Sequence, residues 1–178
     1  MNSRFVLTGG PGAGKTSVLQ ALQQRELAVA PESARQIIQT RLSQNLPPRP
    51  DPKTFAQDVL RADIEQYHKL WIEDEPTFYD RGVLDALYML NVIGALSHLD
   101  KARKVVAHPY NEVVFLFEPW PEIYATDAER DQTFEESVQV FEGLKQWYTL
   151  WGYTPVEVPK VSIEERADFI LDVVEDVF

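Results

Sequence analysis

Apolar residues fall along this chain in two alternating kinds of run. Short unbroken ones stand at 5–7, 27–30, 78–79 and 113–117, and between them apolar positions return every three or four residues. Unbroken runs suit strands covered on both faces, whereas the three-to-four spacing suits amphipathic helices. The pattern predicts strands at 5–7, 27–30, 77–80, 112–117 and 154–158. It predicts helices over 17–24, 33–43, 52–74, 83–96 and 131–150, and a last one opening at Ser162. Residues 27–30 could also prolong the first helix, but their spacing and Pro31 favour a strand. Residues 97–111 divide into a short helix and a loop.

Proline and capping residues sharpen these boundaries. The prolines of 45–52 (NLPPRPDP) remove donors and clash with a preceding helical turn, so this stretch is a stiff loop. Asp51 then reads as a helix cap with Pro52 at the first helical position. The helix that follows carries Phe55, Val59, Leu60, Ile64, Tyr67, Leu70 and Trp71 on one stripe. Pro155 marks the last strand as a weak or edge one. Ser162 and Glu165 form a capping box ahead of a stripe of Ile163, Ala167, Ile170, Leu171, Val174 and Phe178. Five strands alternating with helices imply right-handed crossovers and a parallel sheet with helices on both faces, an α/β/α arrangement. Ligands in such sheets sit beyond the C-terminal strand ends.

The first strand runs directly into Gly9-Gly10-Pro11-Gly12-Ala13-Gly14-Lys15-Thr16-Ser17, a complete G-x4-G-K-T match between a strand and a helix. Glycines let such a loop turn its N–H groups inward around a phosphate chain, and the following helix N-terminus faces the same anion. Gly10 to Ser17 are therefore the expected nucleotide cradle, with Lys15 as the charge on the β/γ-phosphates and the Thr16 hydroxyl as a Mg²⁺ ligand. No guanine-reading N-K-x-D motif is present, which favours ATP over GTP.

The other strand ends supply the remaining chemistry. Asp80, after Thr77-Phe78-Tyr79, is the expected second Mg²⁺ ligand, or else a helix cap. Arg81 is placed to clamp a phosphoryl group or second substrate, the alternative being a structural ion pair. Gly82 would let the chain turn sharply, and Asp85 would cap or join a network. Glu32, after the second strand, could take a proton from an attacking hydroxyl or orient a water, with Arg35 a turn later binding acceptor or phosphate. Glu118 follows the fourth strand, and with Trp120 and Glu122 it could line an acceptor pocket. The charged stretch to about residue 132 could close as a lid and bring in Arg130. Lys160 is a candidate beside the adenine, and Arg49 and Arg61 are candidates on the acceptor side.

Composition removes several classes. Twenty-eight acidic against 17 basic residues leave a formal charge of −11, so a broad nucleic-acid face is not expected. With no cysteine there is neither a disulfide framework nor a thiolate site. Three histidines without zinc-site spacing give no metal centre of that kind. No apolar run approaches a membrane span, and the first strand begins almost at the N-terminus, so a cytoplasmic protein of one domain over 1–178, with a lid at about 119–132, is expected.

RFVLTGGPGAGKTS (4–17), VAPESARQII (29–38), FYDRG (78–82), VVFLFEPWPEIYATDAER (113–130) and PKVSIEERADFIL (159–171) together resemble the small bacterial AAA-labelled P-loop ATPase/kinase family. That resemblance implies a kinase-like P-loop NTPase fold with sheet order 2-3-1-4-5, and ATP with Mg²⁺ at Gly12, Gly14, Lys15 and Thr16. By analogy with deoxynucleoside kinases, Glu32 is similar to their strand-2 glutamate, Asp80-Arg81 to their acidic-Arg pair and Arg130 to a lid arginine. Gly82 stands where those kinases often carry serine. Two functions fit these residues: phosphotransfer from ATP·Mg²⁺ to a small acceptor such as a nucleoside or nucleotide, with Lys15, Glu32, Arg81 and Arg130 catalytic, and ATP hydrolysis or switching without an acceptor. The sequence leaves the oligomeric state open.

Overall fold

The computed structural model describes residues 2–70, 75–124 and 133–178, except the side chain of His98. The strands are β1 (Arg4–Gly9), β2 (Ala28–Ala30), β3 (Thr77–Asp80), β4 (Val113–Phe117) and β5 (Thr154–Glu157), all parallel and in the order β2-β3-β1-β4-β5. The helices are α1 (Lys15–Gln24), α2 (Ser33–Ser43), α3 (Pro52–Lys69), α4 (Val83–Val92), α5 (His98–Ala107), α6 (Phe134–Leu150) and α7 (Ile163–Val177). The order implied by the family resemblance is the one found.

Strand alternation divides the core into two. Val6, Tyr79 and Val114 point to one side, where α3, α4 and α6 bring Phe55, Val59, Leu84, Leu87 and Trp147. Phe5, Leu7, Phe78, Phe115 and Phe117 point to the other, against Val18 and Leu22 of α1 and Ala167 and Ile170 of α7. Side chains of one strand alternate between faces, so a sheet buried on both faces must be apolar throughout. β5 lies at an edge, where Pro155 costs no ladder bond that a central strand would need.

Helix ends follow local chemistry. Asp51 accepts from the Thr54 amide at 3.0 Å with Pro52 next to it, and Ser162 and Glu165 form their capping box. Each such cap is worth about 1 kcal/mol. α4 stops at Val92 rather than 96, although the apolar pattern continues to Leu96. Gly94 takes φ 65°, and the Ala95 amide reaches back to the Leu90 carbonyl at 2.9 Å, which closes the helix in a Schellman turn. α3 ends at Lys69, and the expected continuation over 71–74, with Trp71, lies outside the described residues. The α7 stripe is shifted from expectation: Ile163 and Phe178 are exposed, while Arg166 is buried in line with Ile170 and Val174. Among the described residues, no helix is long and apolar enough to cross a membrane.

Candidate functional site

β1 delivers the phosphate loop as its motif requires. Gly9, Gly12 and Gly14 have φ of 134°, 74° and 79°, and a Cβ on Gly9 would collide with the Phe117 carbonyl of the neighbouring strand. α1 starts at Lys15, so its first amides open toward the loop. The Lys15 ammonium is buried and donates to the Gly10 carbonyl at 3.0 Å. Burial first, and then the Arg81 charge, lower its pKa to about 8 against the opposing pull of Asp80, Glu32 and Asp85. The loop is also fastened from behind. Ser137 of α6 donates to the Pro11 carbonyl at 2.9 Å, and Arg166 of α7 to the Ala13 carbonyl at 2.7 Å. The Arg166 guanidinium lies 4.8 Å from the Phe117 ring centre, a cation–π contact in a buried setting.

The ends of β2 and β3 stand next to this loop. The Thr16 hydroxyl is 3.5 Å from Asp80 Oδ2, and Asp80 Oδ1 is buried with no hydrogen-bond partner among the described residues. Burial and the neighbouring Glu32 push the Asp80 carboxyl up to about 6. An orphaned carboxylate oxygen beside a hydroxyl is a donor set that suits Mg²⁺, which takes one or two protein oxygens and completes its shell with phosphate and water. Thr16 and Asp80 therefore fit the ion expected of them. Among the described residues there is no cluster of three or more His, Cys, Asp or Glu side chains able to hold a metal without such help.

Arg81 bridges two carboxylates, donating from Nε to Glu32 at 3.1 Å and from Nη1 to Asp85 at 3.2 Å. Burial works against its charge, but Glu32, Asp85 and Asp80 outweigh burial and raise its pKa. Burial alone would raise Glu32; the Arg81, Lys15 and Arg35 charges overcome that and hold its carboxylate ionised below the usual range. Asp85 serves as both cap and network residue. It accepts from the Gly82 amide at 3.1 Å, from Tyr148 at 2.6 Å and from the Thr8 hydroxyl. The turn expected at Gly82 belongs instead to Arg81, whose φ is 68°. Left-handed backbone costs a side-chain-bearing residue about 1–2 kcal/mol, and here two ion pairs hold it. Gly82 is extended, and its need for glycine is spatial, since a Cβ would sit 2.9 Å from the Tyr110 hydroxyl.

One cavity of about 1040 Å³ joins these parts. It begins on the phosphate loop at Pro11 to Ser17, passes Glu32, Arg35, Arg81 and Asp85, and continues between Phe55, Val59 and Met89. Arg49 also lines it, as does Trp120 on the other side. Four candidates stand elsewhere. Glu118, after β4, and Lys160, after β5, are exposed and paired with each other at 2.9 Å, off the cavity wall. Arg61 is exposed on α3 and pairs with Asp58 at 3.3 Å. Glu122 is exposed in a single 3-10 turn, Pro121–Ile123. Arg130 and residues 125–132 of the expected lid lie outside the described residues.

Two cavity residues escaped sequence reasoning. Arg166 occupies a stripe position four residues before Ile170, a charge where the helix pattern asks for an apolar side chain. Asp63 does the same in α3, four residues after Val59 and four before Tyr67. A charged residue in phase with an apolar stripe is the signal that could have found both.

A family model described as an AAA domain matches residues 4–166. A structure of deoxyadenosine kinase from M. mycoides, with products dCMP and a flexible dCDP bound, superposes with a TM-score of 0.63 at 11% identity, covering 98% of this chain and 100% of that one. A likeness at that identity shows a shared kinase-like fold. A comparison with curated proteins finds no match. With a phosphate loop at the head of a 2-3-1-4-5 sheet of kinase-like fold and a family match over most of its length, the chain belongs to the AAA domain family.

Proposed function

We propose that the protein is an ATP- and Mg²⁺-dependent phosphotransferase acting on a small hydroxylated acceptor of nucleoside-like size. The observation that carries this reading is the continuity of the cavity, which runs past the Glu32–Arg81 pair, 3.1 Å apart, into an apolar compartment beyond the phosphate loop. A hydrolase needs only room for water there, whereas this cavity continues past Glu32 and Arg81 between Phe55, Val59 and Met89, an apolar lining of the kind small-molecule sites have. Glu32 stays ionised and so is ready to accept a hydrogen bond from the acceptor hydroxyl.

In the proposed reaction the acceptor oxygen forms a bond to the γ-phosphorus as the bond from that phosphorus to the β–γ bridging oxygen breaks. ADP leaves, and the hydroxyl proton passes to Glu32 and then to solvent. Lys15 and Arg81 meet the charge on the transferring group. Mg²⁺, held by Thr16 and Asp80, would neutralise the β- and γ-phosphate oxygens. Arg130 would join from a lid over 119–132, a role that Arg130→Ala tests by lowering kcat more than it changes the KM for ATP. The lid and the body form one domain in this reading, and the dependence on ATP supports a cytoplasmic location.

The test is ATP turnover by purified protein, with and without a panel of nucleosides, nucleotides and hydroxylated metabolites, following the γ-phosphate by mass. Transfer to an acceptor is the expected result. Steady hydrolysis that no acceptor changes would replace this reading with an ATPase in which Glu32 orients water.

A further inference from the structure

Asp63 is the one carboxylate of the α3 stripe. It is 6% exposed, between Val59 one turn before it and Tyr67 one turn after. A buried carboxyl without full hydrogen bonding is costly, and an apolar side chain of similar size would fill the position without that cost. Its surroundings give it half of what it needs. Gln66 donates to the Ser33 hydroxyl oxygen at 2.9 Å and to the Pro31 carbonyl at 3.0 Å, which leaves the Ser33 hydroxyl hydrogen to bond the Asp63 carboxyl. The Oδ2 atom has no partner among the described residues. Protonation does not cure this, because an added O–H would itself lack an acceptor there. Ser33 adjoins Glu32 in the chain, and Asp63, Val59 and Phe55 line the same cavity wall.

We infer that Asp63 is a specificity-determining residue of the acceptor compartment, receiving a second hydrogen-bond donor of the acceptor, an O–H or N–H that does not react. This rests on the proposed phosphotransfer at Glu32. The acceptor then has a defined chemistry: a reacting hydroxyl at Glu32, a second donor at Asp63, and an apolar or aromatic body against Phe55, Val59 and Met89. Rotation about the Cβ–Cγ bond of an aspartate is soft and two-fold, so either oxygen can turn to the ligand while the other keeps the Ser33 bond. Burial first of all, with Asp85 and Glu32 adding to it and Arg81 opposing, raises Asp63 to about 7. A donor arriving there favours the ionised form, so acceptor binding releases protons near neutral pH.

The experiment uses matched nucleosides as probes: 2′-deoxyadenosine against purine 2′-deoxyriboside, which lacks the exocyclic amine, and adenosine against 2′-deoxyadenosine, which lacks one hydroxyl. Transfer is measured together with calorimetric binding in the presence of ADP, in two buffers of different ionisation heat. Wild type, Asp63→Asn and Asp63→Glu are compared, with melting curves as the check on folding. The expected result is that wild type loses about tenfold or more in kcat/KM, or in affinity, when one donor is removed, the value of a buried hydrogen bond to a charge. Asp63→Asn narrows that ratio and abolishes the buffer-dependent heat, and Asp63→Glu restores part of both.

Transfer with an unchanged donor ratio and unchanged proton release in Asp63→Asn overturns this inference and leaves the kinase reading standing. Donor-selective binding that needs Asp63 without any transfer overturns the kinase reading and sustains the subsite. Neither binding nor transfer of any probe overturns both.

Discussion

The two ends of the cavity are made of different material. At the phosphate-loop end, the groups placed to meet an anion are backbone amides and one lysine drawn from the consecutive residues 10–17. At the other end, Glu32, Phe55, Asp63, Arg81 and Met89 arrive from β2–α2, α3 and β3–α4. The first end is specified by local backbone conformation, above all the left-handed Gly12 and Gly14. The second exists only when α3 packs against α4. One end is therefore set by local backbone, whereas the other is set by packing, although its Arg81 and Glu32 charges still reach Lys15.

Substitutions can break this contrast. The largest effect is expected from Lys15→Ala, which removes the only lysine on the cavity wall among the described residues. Turnover of ATP should fall about 1,000-fold, the scale of losing a principal charge-stabilising donor. The measurement is phosphate release and transfer, with the melting curve as the check on folding. A mutant that retained turnover would remove the cradle from the chemistry.

Glu32→Gln comes next and separates the two ends. Transfer should drop about 100-fold, as for loss of a positioned base, with a much smaller change in ATP affinity. If affinity fell as far as rate, Glu32 would belong to the phosphate-loop end.

Arg166→Met asks how far the cradle depends on tertiary support. Losing a charged bond to the Ala13 carbonyl should raise the KM for ATP about tenfold, read from initial rates across ATP concentration. No change would show that the glycines and α1 hold the loop unaided.

The smallest effect is on stability. In the folded chain Asp63 holds its proton up to about pH 7, against an ordinary aspartate value near 3.8. Between those limits the native state binds a proton that the unfolded chain has released, so this group's contribution to stability falls as pH rises and levels off above the folded value. Asp63→Asn has no such dependence. Its stability relative to wild type should therefore grow by about 1–3 kcal/mol on going from about pH 5 to about pH 8, measured by urea unfolding. A constant difference would mean that Asp63 is ionised throughout.

The phosphate-loop end was legible in the sequence because its information is local. A strand, glycines at fixed offsets, lysine and threonine together leave one backbone path, and that path is found. Capping residues Asp51 and Ser162 were legible for the same reason. Glu32, Arg81 and Asp80 could be chosen because parallel strands send their C-terminal ends to one edge. What Arg81 does could not be chosen, since its two ion partners are 49 residues back and four residues ahead. Glu118 had the same strand-end credentials, yet it turns outward to Lys160. Asp63 and Arg166 are not marked by helical periodicity, which points to apolar members, while the charged ones in phase with them carry the information about the cavity.

By itself the sequence determined the alternation of strands and helices, the phosphate loop and the acidic charge balance, all of which depend on neighbours within a few residues or on composition. Only the tertiary structure decided which strand-end side chains meet, that Arg81 rather than Gly82 takes the left-handed turn, and that a carboxylate on α3 stands on the cavity wall. The physical reason is that a buried charge is positioned by whichever partner the packed helices bring within hydrogen-bond reach, and that partner is set by distance in space and not by distance along the chain.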